Sequence, residues 1–411
     1  MGAFSALREK RKKKKETPTV NSHYTKLARR TALVRYICIV LVVVFAVYSL
    51  SFHSDEISIE HFRYMLKYIN FSNDNEAPPG TLIQFDGSSG NRGIMFKGNL
   101  AVLNESGLTI NRWDGEIIYS QIFSTNHPKI TENGNNLFCY DLGGKELRIY
   151  NTVGRVDNFE EGHFQYPIYW LSAAKNGNFA IISSAKGYRS ALYIYDKQFR
   201  VIFSSATGDK YMDFVDLADN GIDFVTASHY SQGGNIVTLV TRGKSNTENA
   251  QFTQTFVGEI PLGVWYTANG YCLMTSDKMR MFDNTDKIIG EIDFAEKELL
   301  SGRIFGDKAL VTYRMEGLSG GTEVAVYNLD GSVKYSTTFN QGISDAIITG
   351  NTLYVLYPGV LAECNTESGE IKSHTVLTSY SSLLSYNQKP ILLSENQAEY
   401  FGPEPIKEDE Q

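Results

Sequence analysis

Cysteine and recognisable catalytic motifs are scarce in this sequence, and each scarcity excludes a class of protein. Four cysteines among 411 residues cannot form a disulfide framework. Cys38 lies in an apolar run, and Cys139, Cys272 and Cys364 are far apart, without metal-ligand spacing. No P-loop, H-E-x-x-H motif or EF-hand loop is present, and no two histidines are paired at ligand spacing. We therefore expect buried thiols, no cofactor and no metal.

One long apolar run is present near the N-terminus. Residues Tyr36 to Ser54 contain no charged side chain, and nineteen helical residues span about 28 Å, close to the hydrocarbon thickness of a bilayer. The basic region before the run is too long for a secretory signal, and Ser49-Leu50-Ser51 is a poor cleavage site. The pattern predicts an uncleaved transmembrane signal-anchor helix at residues 32–54, with a cleaved signal peptide as the alternative.

Charge predicts the orientation of this segment. Residues 1–35 contain eleven Lys or Arg and two acidic residues, whereas the remainder contains 28 basic and 44 acidic residues, a net charge of −16. Excess Lys and Arg stays cytoplasmic, so we expect an N-terminus inside the cell and about 355 residues outside it. The predicted location is the cell (plasma) membrane, spanned once.

The segments flanking the main domain are short and polar. The polar, basic composition of residues 1–31 predicts a disordered cytoplasmic tail, and its basic side chains could also bind anionic lipid. A nucleic-acid role would need a folded basic module, which the sequence lacks. Residues 55–80 predict a juxtamembrane amphipathic helix and a linker, and residues 403–411 form an acidic tail.

From Thr81 onward, a repeat of short strands and turns predicts an all-β domain over residues 81–402. A Gly/Asn/Asp turn precedes an apolar strand eight times, at intervals of 36 to 49 residues. β-Propeller blades repeat at about this length, with four strands each. The eight turns begin at Gly98, Gly134, Gly177, Asn220, Asn269, Gly306, Gly350 and Asn387.

A second mark, an apolar residue followed by Asn or Asp and a polar turn, closes the third strand of most repeats. It begins at Trp113, Tyr150, Tyr195, Phe282, Tyr327 and Cys364. The last repeat lacks a fourth strand, while Leu82 to Phe85 precedes the first full repeat. Because a propeller closes its ring without open sheet edges, we expect this segment to complete the C-terminal blade near Gln397 to Phe401. The count is then eight blades, with seven as the alternative.

Two stretches carry a family resemblance. Glu363 to Ile371, and more loosely Tyr327 to Val333, resemble the repeat of pyrroloquinoline-quinone-type propellers. Non-catalytic scaffold propellers of bacterial envelopes use that repeat too. The whole layout is similar to a family of single-pass bacterial membrane proteins with an exterior propeller, which implies a fold but no function.

Function has two candidate classes at this point. One is a membrane-anchored extracytoplasmic propeller that binds or scaffolds an envelope protein or polymer. The other is an envelope-associated hydrolase or quinone-type oxidoreductase. The oxidoreductase needs calcium ligands and aromatic stacking at the propeller axis, and the hydrolase needs two placed carboxylates, neither of which the sequence identifies. We therefore expect a binding module.

Loops on one face supply the candidate site. In a four-stranded blade, the loops from second to third strand share a face with the connections between blades. Tyr and Arg are common binding hot spots, and loops carry function more often than scaffolds do. We also place an insert, Asn246–Gly258, on this face. The predicted binding residues are His163, Tyr166, Tyr188, Arg189, His229, Tyr230 and Arg314.

The predicted topology is testable with protease. Added to intact cells or spheroplasts, protease should digest the chain after Asn75 and spare the N-terminal tail, because the charge bias before Arg35 keeps that tail inside. Epitope tags at the two ends, read by immunoblot, follow each part separately. Protection of the region after Asn75, or a mature chain that begins near Ser51, would contradict the prediction.

Overall fold

The computed structural model divides the chain into two units, Met1–Ile69 and Asn70–Gln411. In the first unit, residues 30–41 and 43–44 are helical. None of the helical residues that the structure describes belongs to a helix long and apolar enough to cross a bilayer. The predictions for residues 1–29, 45–79 and 403–411 lie outside the described residues. The structure describes residues 30–41, 43–44, 80–86, 91–160, 162–294, 296–315 and 320–402.

The second unit is an eight-bladed β-propeller, as predicted, and each blade is a four-stranded sheet. Within a blade, the strands pair antiparallel in chain order from the innermost to the outermost. Blade 8 differs only in that its outermost strand, β1, comes from the start of the domain. Blades 1 to 4 comprise β2 (Arg92–Phe96), β3 (Asn99–Asn104), β4 (Gly107–Asn111) and β5 (Ile117–Ile122); β6 (Pro128–Glu132), β7 (Leu137–Asp141), β8 (Leu147–Asn151) and β9 (Gly154–Arg155); β10 (Ile168–Ala173), β11 (Phe179–Ala185), β12 (Tyr188–Tyr195) and β13 (Val201–Thr207); and β14 (Tyr211–Leu217), β15 (Asp223–Gln232), β16 (Asn235–Lys244) and β17 (Phe252–Val257). Blades 5 to 8 comprise β18 (Pro261–Thr267), β19 (Gly270–Thr275), β20 (Lys278–Asp283) and β21 (Ile288–Asp293); β22 (Glu298–Phe305), β23 (Lys308–Arg314), β24 (Thr322–Asn328) and β25 (Val333–Phe339); β26 (Asp345–Thr349), β27 (Thr352–Tyr357), β28 (Val360–Asn365) and β29 (Ile371–Thr375); and β30 (Ser382–Tyr386), β31 (Lys389–Leu393), β32 (Gln397–Tyr400) and β1 (Leu82–Gln84).

Both repeated marks in the sequence are turns of the blades. The eight Gly/Asn/Asp marks join the first strand of each blade to its second, and the other mark follows the third strand. Gly270 shows why glycine is needed at one of these turns: its φ is 154°, and an added Cβ would lie 1.9 Å from the carbonyl oxygen of Phe282. Any larger residue would push blade 5 apart at this point.

Burial explains the composition of the strands. Second strands such as β3 and β19 have neighbouring blades on both faces, so they are almost entirely buried and read as continuous apolar runs. An outermost strand such as β17 is mostly solvated, and its exposed and half-buried positions alternate. The second strand of a blade therefore contributes more to the apolar core than its outermost strand does.

The described residues of the propeller form eight hydrophobic core clusters, and each lies between two adjacent blades. Phe138 of blade 2 packs on Phe179 of blade 3, with ring centroids 5.3 Å apart. The other clusters follow the same rule around the ring, and one fills the space between blades 8 and 1. Each blade therefore completes the core of its neighbours.

The ring closes through β1, as predicted. Leu82, Ile83 and Gln84 pair antiparallel with β32, and Ile83 lies opposite Ala398. The backbone N–H of Gly80 also donates to the carbonyl oxygen of Tyr400 over 2.8 Å. The first strand of the propeller thus becomes the outermost strand of its last blade.

A buried carboxylate links three blades near the propeller axis. Asp216 of blade 4 accepts a hydrogen bond from the Ser172 hydroxyl of blade 3 over 2.6 Å, and one from the Tyr266 backbone N–H of blade 5 over 2.7 Å. No cation accompanies it among these partners, and burial raises the pKa of Asp216 to about 6. Burial therefore favours the protonated carboxyl, and the hydrogen bonds from Ser172 and Tyr266 offset part of that rise.

Ring closure by β1 gives the first prediction about stability. Ile83 is fully buried in the cluster between blades 8 and 1, whereas its neighbour Leu82 is 45% exposed. Ile83→Ala should lower the free energy of unfolding by about 2–5 kcal/mol, and Leu82→Ala by less than about 0.5 kcal/mol. Chemical denaturation of the two variants measures both. Equal effects would show that β1 does not close the ring.

Asp216 makes the stability depend on pH. Because its folded pKa of about 6 exceeds the ordinary value of 3.8, its contribution is complete below pH 3.8 and is lost as the pH rises through 6. Between pH 4 and pH 7, the wild type should lose about 2 kcal/mol relative to Asp216→Asn, since each pKa unit corresponds to about 1.4 kcal/mol and part of the loss has already occurred at pH 4. Denaturation curves at both pH values test this, and parallel pH profiles for the two proteins would contradict it.

Candidate functional site

The two ends of the propeller are built from different connections. Because strands in a blade alternate in direction, the turns from second to third strand lie at the same end as the connections between blades. We call this the loop end, and the other the turn end. The seven predicted binding residues all lie in these connections or at the strand ends beside them: His163, Tyr166, Tyr188, Arg189, His229, Tyr230 and Arg314.

Two of the predicted residues meet through a third that the sequence did not single out. The Arg189 guanidinium of blade 3 lies 5.1 Å from the ring centroid of Tyr211 in blade 4. Tyr211 stacks on His229, with centroids 5.3 Å apart and planes inclined by 20°. His229 Nδ1 donates to Asp213 Oδ2 over 2.7 Å. We call Arg189, Tyr211, His229 and Asp213 the blade 3–4 stack.

The strands fix the geometry of this stack. Tyr211 and His229 are directly opposite in the β14–β15 pairing, so their rings face the same side. Burial raises the pKa of the Asp213 carboxyl, and the hydrogen bond from His229 partly offsets that rise. Tyr188 and Tyr211 are about half exposed. The result is a rigid aromatic and cationic surface that faces solvent.

Asp213 occupies a β-bulge, and the same bulge recurs in four consecutive blades. The innermost strands of blades 3, 4, 5 and 6 each have one extra residue near the loop end. A bulge redirects the side chain of the extra residue. Three of the extra residues are large apolar side chains that are 39–43% exposed. We call the four extra residues the bulge arc: Tyr169, Asp213, Leu262 and Leu300.

The bulge arc was not predicted from the sequence, because its members are embedded in strand-like patterns. Tyr169 and Leu262 each stand beside residues that the core buries, such as Ile168 and Val264. Alternation alone would assign them to one face of a strand. The sequence signal for a bulge is an irregularity over two residues in the apolar–polar alternation. A single sequence does not distinguish that irregularity from a turn.

His163 and Tyr166 belong to a second, separate cluster. The His163 ring packs against Phe159, with centroids 4.6 Å apart, in the connection between blades 2 and 3. His163 and Tyr166 line a cavity of about 180 Å³ together with Ser183 and Tyr193 of blade 3. This packing gives His163 a structural role in its own loop.

Tyr230 and Arg314 lie apart from both clusters. The Tyr230 hydroxyl is 3.5 Å from Gln232 Oε1 on its own strand. Arg314 belongs to blade 6, two blades from His229, and pairs with the exposed carboxylate of Glu298 over 3.4 Å. The structure therefore brings together Arg189 with His229, and His163 with Tyr166, but not the seven as one group.

The predicted insert at Asn246–Gly258 was wrong in position. Its second half is the outermost strand β17, and the turn over residues 245–251 joins the third and fourth strands, at the turn end. β16 runs for ten residues, longer than most strands of the ring, and so carries the chain past the expected end of the blade. The insert therefore does not contribute to the loop end.

The turn end contains a cavity of about 770 Å³. Blades 3 to 6 line it, with Trp265 and Tyr266 on the innermost strand of blade 5. Three cations of its wall each have a carboxylate partner: Lys175 with Asp219, Lys244 with Asp223, and Arg242 with Asp286. This cavity could not be predicted from the sequence, since its residues come from four separate repeats.

A family comparison agrees with this architecture. A family model described as "Family of unknown function (DUF5711)" matches residues 81–399, the whole propeller to within a few residues. The chain belongs to the DUF5711 family. No curated protein matches the sequence of this DUF5711 chain at a significant level.

Solved structures share the fold of the DUF5711 propeller at low sequence identity. BamB from Moraxella catarrhalis aligns with a TM-score of 0.50 and 12% identity, over 79% of this chain and 100% of that one. The quinohemoprotein alcohol dehydrogenase ADHIIG from Pseudomonas putida HK5 aligns with a TM-score of 0.50 and 8% identity, over 85% of this chain and 80% of that one. At these identities the likeness shows the propeller fold alone.

The described part of the DUF5711 propeller contains buried thiols and no candidate metal cluster. Cys139, Cys272 and Cys364 are buried and unbridged, as predicted, and burial raises the pKa of Cys272 to about 12. The residues that the structure describes contain no group of three His, Cys, Asp or Glu side chains that could hold a metal ion.

The sequence also contains the spacing of a catalytic serine motif. Gly317-Leu318-Ser319-Gly320-Gly321 has the G-x-S-x-G spacing of a hydrolase nucleophile elbow. That motif works at a turn from a strand into a helix, which exposes the serine above a sheet. The described strands before and after this pattern, β23 and β24, pair in one blade, and Ser319 itself lies outside the described residues. We assign the serine no catalytic role.

Proposed function

We propose that this DUF5711 protein is a membrane-anchored scaffold whose propeller binds a protein partner at its loop end. The bulge arc is the observation that supports this most. Tyr169, Leu262 and Leu300 expose apolar area on the innermost strands, around the propeller axis. An apolar centre surrounded by polar and aromatic residues is the usual composition of a protein interface.

The blade 3–4 stack supplies the rim of this surface. Arg and Tyr are the residue types that most often dominate binding energy, since they bury large areas and still form hydrogen bonds. Arg189 and Tyr211 are held by stacking before any partner arrives. Preorganised side chains lose less conformational entropy on binding than free ones do.

Membrane attachment belongs to the same proposal. The apolar run from Tyr36 to Ser54 and the basic residues before it favour a single span with the N-terminus in the cytoplasm and the propeller outside. A bacterial envelope is the setting that the layout favours, and the basic tail would also attract anionic lipid. An anchored propeller would hold its partner close to the membrane.

Catalysis is the weaker alternative. A quinohemoprotein alcohol dehydrogenase shares the fold at 8% identity, which is no ground for assigning its cofactor to this chain. A binding surface at the loop end needs only the side chains that are already exposed there, whereas a hydrolase needs a nucleophile or paired carboxylates in a defined site. We therefore propose no reaction.

Two triple variants test the loop end. One combines Tyr169→Ala, Leu262→Ala and Leu300→Ala; the other combines Tyr188→Ala, Arg189→Ala and Tyr230→Ala. Each should weaken the partner's affinity more than about thirtyfold, because a hot-spot residue contributes about 2 kcal/mol or more. Full-length protein in mild detergent, with quantitative mass spectrometry of co-purified proteins, gives the readout.

A matched control uses exposed apolar residues at the turn-end starts of outermost strands, Ile117→Ala, Ile288→Ala and Val333→Ala. These changes should leave the partner bound and all melting temperatures close to that of the wild type, since exposed substitutions cost little. Loss of the partner in the control alone, or retention in both loop-end variants, would refute the loop end as the interface.

A further inference from the structure

The turn-end cavity has the dimensions of a small-molecule site and lies at the end of the propeller opposite the proposed interface. Its volume of about 770 Å³ is within the usual range for ligand sites, roughly 300–1,000 Å³. Polar and apolar side chains both line it, and four blades contribute to its wall. Because the propeller fixes those blades, the cavity exists without any closing movement.

The charges of the wall are already neutralised. Arg242 donates two hydrogen bonds to Asp286, of 2.7 and 2.5 Å, and both side chains are mostly buried. Lys244 lies 3.7 Å from Asp223, and at the rim Lys175 donates to Asp219 over 2.7 Å. An anionic ligand would have to compete with a carboxylate for each cation. The cavity is therefore a poor site for phosphate or a carboxylate.

The same pairs offer many hydrogen-bond donors and acceptors side by side. A hydroxyl group donates to a carboxylate and accepts from an ammonium group at the same time. Hydroxyls that bridge Lys244 to Asp223 would gain charge-assisted hydrogen bonds without leaving either charge unpaired. A neutral ligand rich in hydroxyl groups suits this wall best.

Aromatic side chains complete the site. Trp265 and Tyr266 point to opposite sides of β18, and both contribute to the lining of the cavity. The Trp265 ring covers Gly263, where an added Cβ would lie 2.2 Å from the ring. Glycine at that position leaves the indole room to lie along the strand. An aromatic face is the surface on which the C–H groups of a sugar ring can pack.

We propose that the turn-end cavity binds a neutral saccharide, with Trp265 as the stacking platform and the Lys244–Asp223 pair as the hydrogen-bonding wall. The proposal is independent of the loop-end interface, because the two sites lie at opposite ends of the blades. A propeller with both sites would bind a glycan at one end and a protein at the other.

Titration of the full-length chain with neutral trisaccharides tests this. The probes are chitotriose, maltotriose and cellotriose, with inorganic phosphate as the anionic competitor, in a detergent without a sugar headgroup. The chain has three tryptophans, so ligand stacking on Trp265 should change the intrinsic fluorescence. We expect at least one trisaccharide to bind with a Kd below about 1 mM.

Two variants alter different parts of the site. Trp265→Ala removes the platform, and Asp223→Asn combined with Lys244→Met removes both partners of one ion pair together, which is mild for folding. Each should weaken trisaccharide binding at least tenfold. Trp113→Phe is the matched control: it lies between blades 8 and 1, and its indole nitrogen has no hydrogen-bond partner to lose.

The outcomes separate clearly. Binding that both site variants weaken and that Trp113→Phe preserves supports the proposal. Phosphate binding tighter than that of every trisaccharide overturns it, as does the absence of trisaccharide binding by calorimetry. Equal trisaccharide affinity in the wild type and in the Asp223→Asn/Lys244→Met variant would show that the Lys244–Asp223 pair is not the hydrogen-bonding wall. If Trp265→Ala fails to fold, the double variant decides alone.

Discussion

Hydrophobic burial between neighbouring blades is the interaction on which the whole propeller depends. No described cluster of the core is contained within a single sheet; each joins two adjacent blades, as Phe138 of blade 2 and Phe179 of blade 3 do. A blade that loses one neighbour loses the cluster on that face. Stability is therefore a property of the closed ring, to which β1 contributes the last strand.

This constraint leaves the two ends of the ring free to vary. The strands must present apolar side chains to both neighbouring blades, whereas a connection contributes only one or two core residues, such as Phe159 or Phe294. The blade 3–4 stack illustrates the link between the two: Arg189 reaches Tyr211 only because blades 3 and 4 pack side by side. Binding surfaces that straddle blades are thus assembled by the same packing that stabilises the fold.

The sequence predicted the architecture because propeller geometry repeats. Local turn marks, such as the Asn269-Gly270 turn, report the blade count directly, and the missing fourth strand identifies β1 as its replacement. The site was less predictable because its contacts are not local. The meeting of Tyr211 with His229 depends on strand register, and the exposure of Leu262 depends on a bulge. Neither can be read from composition, and the ten-residue strand β16 misled the assignment of the following turn.

The pairing of β1 with β32 also governs the order in which the domain can be completed during synthesis. β1 is the first strand of the propeller to leave the ribosome, and its partner at Gln397–Tyr400 is among the last. Until then β32, the strand that pairs with Ile83, is absent, and the cluster between blades 8 and 1 is only half built. A contact with so large a sequence separation is slow to form. The nascent chain therefore needs protection at both ends of the domain until translation has passed residue 400.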